Sequence, residues 1–86
     1  MQIVYGELMD LKNLLYKIVE NLISKNNELK VKETVTESTI VLDLTIPKSE
    51  IGCVVGKQGR MILAIRTVLH AIGKKNGKKV EVNIIE

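Results

Sequence analysis

IGCVVGKQGRMI, residues 51 to 62, decides how the rest of the chain is read. Three of the six glycines, Gly52, Gly56 and Gly59, fall within this stretch, between two apolar runs and beside Lys57 and Arg60. Ile51, Val54 and Val55 before the loop, and Met61, Ile62, Ile65, Val68, Leu69 and Ile72 after it, recur at helical spacing. The stretch therefore reads as a tight turn between a short helix and a long one. A helix N-terminus has unpartnered N–H groups and partial positive charge, so it attracts phosphate. With no Cβ at Gly56 or Gly59, a sugar-phosphate backbone can lie against such amides. Lys57 at the tip adds a point charge, and Arg60 in the first turn offers a fork for phosphate oxygens. Gly52 faces the same side and leaves a shallow channel with an aliphatic floor, in which bases can lie.

Working outward, Leu8, Leu11, Leu14, Leu15, Ile18, Val19, Leu22 and Ile23 form one apolar stripe, which predicts an amphipathic helix over 7–24. Glu7 and Asp10 suit its positive start, Lys25 its end, and Asn26-Asn27 reads as a stop. Leu29, Val31 and Val35 alternate with polar residues, and so do Ile40, Leu42, Leu44 and Ile46 after a short link, which predicts a β-hairpin ended by Pro47. Ser49 is placed to cap the short helix. The long helix runs from Arg60 to near Gly73, Asn76-Gly77 is a turn, and Val80, Val82 and Ile84 alternate in a last strand. The order is helix, strand, strand, helix, helix, strand. The two-helix connection is long enough for a parallel crossover, giving an α+β fold with a three-stranded mixed sheet and the helices on one face.

The 86 residues allow one domain, with 45% hydrophobic and 27% charged residues. Residues 1–10 read as an N-terminal extension of the first helix. The N-terminus shows no basic leader and no run of membrane-spanning length, so a cytoplasmic location is expected, with no membrane partner. The formal charge of +3 is unevenly spread. From Lys48 to Lys79 eight basic residues face Glu50 alone, whereas the flanks are net acidic. The glycine segment is thus also the basic segment, and such an excess draws a polyanion, in a cytoplasm most often nucleic acid.

Other chemistries find little footing. Cys53 stands alone and His70 has no cysteine or carboxylate partner, so no disulfide, metal site or cofactor is expected. Cys53 reads as a small helix residue rather than a reactive thiol, and His70 as a surface residue. No carboxylates are forced together for hydrolytic acid and base roles, so neither an enzyme nor a small-molecule substrate is indicated. Gly52 to Lys57 is not a P-loop: only three residues separate the glycines, and Gln58 stands where a magnesium-binding hydroxyl belongs. A G-x-x-G alone is equally an ordinary turn, and Lys74, Lys75, Lys78 and Lys79 are either a solvated turn or a second phosphate patch. A helix-turn-helix fits poorly, because the helix before the turn is very short and the hairpin has no place in it. The two tyrosines lie far from the basic segment, so binding by aromatic stacking is disfavoured.

Val54-Val55-Gly56-Lys57-Gln58-Gly59-Arg60-Met61-Ile62 resembles the core motif of KH RNA-binding domains, and the upstream Ile51-Gly52 matches a glycine many of them carry. The element order is similar to the type II KH arrangement. Residues 11–86, including Ala64-Ile65-Arg66-Thr67, resemble the small bacterial single-KH proteins of the KhpA type. The resemblance implies a type II KH fold that binds single-stranded RNA without catalysis. It implies an RNA site of Gly52, Val55, Gly56, Lys57, Gln58, Gly59, Arg60, Ile62 and Arg66, with the GKQG loop clamping the backbone. It also implies pairing as a homodimer, or with a larger KH-containing partner. An assembly adaptor with incidental RNA contact is the alternative. Cys53 stands where relatives often carry a basic residue, which removes one phosphate contact.

Overall fold

The computed structural model describes residues 10–24 and 26–85. Helix α1 spans Leu11–Glu20 and starts where the Asp10 carboxylate accepts from the Asn13 N–H at 3.1 Å. Its Leu11, Leu15 and Val19 are buried. The chain then turns back, with the Leu22 and Ile23 N–H groups both donating to Val19 O. The helix is therefore shorter than the apolar stripe suggests, because Leu22 and Ile23 reach the core from a turn. The residues before Asp10, Leu8 and Glu7 among them, and Lys25 lie outside the described set.

Strands β1, Lys30–Val35, and β2, Thr39–Thr45, pair antiparallel with Val31 opposite Leu44. After β2 come helix α2, Ile51–Val55, and helix α3, Arg60–Lys75. Strand β3, Lys79–Ile85, then runs parallel to β2 with Val82 opposite Leu42. The sheet order is β1-β2-β3, the mixed sheet expected from the element order. Leu42, Leu44 and Val80 are fully buried with Leu15 and Val19 of α1, Val54 of α2 and Leu69 of α3 in one cluster, so all three helices cover the same face. Burying each such side chain contributes roughly 1.5–3 kcal/mol. The other face is polar; there Asn83 Nδ2 donates to Asp43 Oδ1 across β3 and β2 at 3.1 Å. Val35 departs from the alternation: it is 56% exposed at the end of β1, although Ile40 opposite it is buried.

Two local devices fix the position of α2 and α3. Ser49 does not cap α2; it lies inside a 3₁₀ turn, Lys48–Glu50, which the extended Pro47 initiates, and no side chain caps either helix start. The carboxylate that follows it does other work. Glu50 is buried and accepts from Ser24 N–H at 2.8 and 3.1 Å and from Ser24 Oγ at 2.6 Å, joining the end of α1 to the start of α2. At the far end of α3, Gly73 is buried, and a Cβ there would collide with Val80 Cγ2 and come within 2.9 Å of Lys78 O. That glycine lets β3 pass directly under the helix.

Candidate nucleic-acid interface

The loop between α2 and α3 is a 3₁₀ turn over Lys57–Gly59, and three of the four residues 56–59 depart from ordinary backbone. Gly56 has φ 78°, ψ 174°, a region that is essentially confined to glycine. Gln58 (φ 57°, ψ 26°) and Gly59 (φ 73°, ψ 13°) are left-handed. Sterics add to the requirement at Gly56, where a Cβ would lie 2.6 Å from Met61 Cβ. At Gly59 a Cβ would meet nothing within 4 Å, so only the backbone conformation favours glycine there. Gly52 is exposed and its missing Cβ also opens onto free space.

Not every amide at the junction is free. Gly56 N–H donates to Gly52 O at 2.9 Å, Gly59 N–H to Gly56 O at 3.2 Å, and Arg60 N–H to Lys57 O. These bonds hold the loop in shape. Among the described residues, the amides of Lys57 and Gln58, between them, have no carbonyl partner outside the turn, and no side chain caps the first turn of α3. Lys57, Gln58 and Arg60 are exposed, and Gly56 and Gly59 half-buried, so the junction is open to solvent. No ion pair holds Lys57 or Arg60 among the described residues. The loop thus combines a helix N-terminus, two amides and two cations on one surface.

The remaining site residues divide. Val55 is half-buried against the core beside the loop. Ile62 belongs to the core instead of the surface, being 7% exposed; its place on the inward side of α3 follows from helical spacing with Ile65 and Leu69. Arg66 is exposed, yet its Nε and Nη2 donate to Val82 O on β3 at 3.2 and 2.9 Å. Cys53 and His70 are exposed, and no group of three or more metal-ligating side chains occurs among the described residues. The lysine patch is partly spent. Lys78 Nζ donates to Thr36 O and Glu37 O at 2.9 and 2.8 Å, and Lys79 Nζ lies 3.7 Å from Glu81. Lys74 and Lys75 stay exposed. Sequence reasoning missed a hollow running between α3 and β3, lined by Arg66, His70, Val80 and Val82 and continuing past Thr67 and Lys74. It depends on the β3 register, which no local pattern states.

A helix-hairpin-helix-helix-strand chain with a glycine turn at the α2–α3 junction defines a type II KH domain. The comparisons agree: residues 12–84 match the family described as KhpA/KhpB, KH domain. Proteins named RNA-binding protein KhpA are similar over 76 residues, 88% of this chain: 40% identical in Chlamydia caviae, covering 97% of that protein, and 40% in Aquifex aeolicus, covering 96%. The Listeria monocytogenes protein of the same name is 36% identical across its full length. This chain belongs to the KhpA/KhpB KH-domain family.

Proposed function

We propose that this protein binds single-stranded RNA without catalysis, clamping the sugar-phosphate backbone at the GKQG loop. The observation that carries the reading is the loop path with positive φ at Gly56, Gln58 and Gly59, with Lys57 and Gln58 exposed at the start of α3 beside Arg60. The relatives named as RNA-binding proteins support it. Lys57 and Arg60 meet phosphate, the amides of Lys57 and Gln58 add donors, and exposed Gly52 with Val55 gives bases a smooth aliphatic bed. Arg66 lines the continuation between α3 and β3. A single strand suits this site, because its unstacked bases can turn toward a narrow groove, whereas a duplex offers only its outside. With two to four phosphates engaged, log K against log salt falls with a slope of roughly −1.5 to −3. Fluorescence anisotropy of a short single-stranded RNA from low to moderate salt measures this; a flat response contradicts the clamp, and tighter binding to duplex DNA contradicts the choice of ligand.

A second reading, assembly with a further copy or a larger KH protein, is favoured by the outer side of α3. There Met61 and Val68, seven residues apart and so on one side of the helix, are 38% and 50% exposed. Pairing through this strip raises avidity by linking two grooves. Sedimentation of the wild type and Val68→Asp tests it: loss of a dimer supports pairing, and an unchanged monomer in both counts against it.

A further inference from the structure

Among the described residues strand β3 pairs only with β2, so no described strand covers its other edge. Lys79 N–H donates to Ser38 O, toward β2, and the alternation of a strand then turns the peptide groups of Val80, Val82 and Ile84 to the open edge. Such an edge ordinarily invites pairing with another chain. Here Arg66 crosses from α3 and places two of its N–H groups on the Val82 carbonyl. A guanidinium has five N–H donors in a rigid plane. Nε–H and the inner Nη2–H are spent on Val82, so the outer Nη1–H and Nη2–H pair forms a second fork whose plane the carbonyl holds. This fork borders a hollow of about 330 Å³ shared with His70 and Val80. It lies six residues beyond Arg60 on α3, roughly 9 Å along the helix.

A guanidinium fork can also take two phosphate oxygens, but this one is held over the hollow beside Val80 and Val82, away from the exposed loop proposed to clamp the backbone. There a fixed pair of parallel donors matches two acceptors lying side by side on a planar ring. The geometry points to Arg66 as a base-reading residue that selects guanine over adenine in the bound RNA, through the guanine O6 and N7 acceptors. Adenine keeps N7 but replaces O6 with an amino donor, which meets the guanidinium donor to donor. The inference rests on the RNA-binding reading and names the residue that makes that reading selective.

The test uses a short uridine-rich single strand with one purine, moved through its positions, that purine being guanine, inosine, 7-deazaguanine or adenine. The wild type binds the guanine and inosine strands alike, and the adenine and 7-deazaguanine strands roughly tenfold more weakly at the best position. Arg66→Lys keeps the charge but loses the fork, so the four affinities converge within about twofold while the salt slope stays as in the wild type. A residue that merely fastens α3 to β3 lowers the melting temperature on substitution without moving these ratios. Equal wild-type affinity for guanine and adenine strands overturns the inference and leaves the clamp standing, as does an Arg66→Lys protein that keeps the preference. Binding to none of the four strands overturns the RNA reading and the inference with it.

Discussion

The turn at 36–39 and the loop at 56–59 are of equal length, and each joins two elements that pack on the core, but they dispose of their polar groups in opposite ways. In the first, Thr36 N–H donates to Thr39 O at 2.8 Å, Thr39 N–H returns to Thr36 Oγ1 at 3.0 Å, and Lys78 closes over the carbonyls of Thr36 and Glu37. Side chains and a distant lysine satisfy that turn from within. In the second, only main-chain bonds and glycine conformations hold the path, and the Lys57 and Gln58 side chains are left in solvent. A turn that consumes its own donors has nothing to give a ligand. Glycine shapes a loop without spending side chains, and this is the physical sense of the cluster at residues 52 to 59.

That contrast can be broken at four places. Gly56→Ala carries the largest expected cost, about 3 kcal/mol, since it combines a glycine-only backbone conformation with a collision against Met61 Cβ. Chemical denaturation measures it, and a loss under 1 kcal/mol shows that the loop is held elsewhere. Thr36→Ala strips the Thr39 N–H of its partner and costs about 1.5 kcal/mol, with RNA affinity unchanged. A drop in affinity there would erase the distinction between the two turns. Gly59→Ala costs about 1 kcal/mol through its left-handed backbone alone, because space is free around it. Glu37→Gln changes stability by less than about 0.5 kcal/mol and RNA affinity by less than about twofold, the charge lying on the turn that takes no ligand.

The sequence made some of this legible and hid the rest for identifiable reasons. Periodicity exposed the apolar faces of α1 and α3, and alternation exposed β2 and β3, because the core reads one side of each element and repeats along it. The β3 range, Lys79–Ile85, coincides with the alternating run. Ser49 misled because Pro47 starts a 3₁₀ turn around it, while the buried carboxylate next door serves Ser24, 26 residues away. Lys78 counted toward the basic patch, yet its ammonium belongs to carbonyls 41 and 42 residues back. Arg66 was marked by resemblance, but its bond to Val82 depends on the β3 register. At the loop the glycines were legible as glycines. Their amides were not legible as satisfied: Gly56 N–H closes the last turn of α2 on Gly52 O, and Gly59 N–H closes the 3₁₀ turn on Gly56 O, which the residue types alone do not state.

Because Gly56 is needed for the fold, the clamp is best tested at its side chains. Lys57→Asp with Gln58→Asp reverses the charge of the loop and places at residue 58 a side chain that tolerates the left-handed conformation. Binding of a short single-stranded RNA at fixed low salt, measured beside denaturant unfolding, gives the decision. An affinity at least tenfold weaker, with stability within about 0.5 kcal/mol of wild type, is the predicted result. Unchanged affinity in that folded variant contradicts the account.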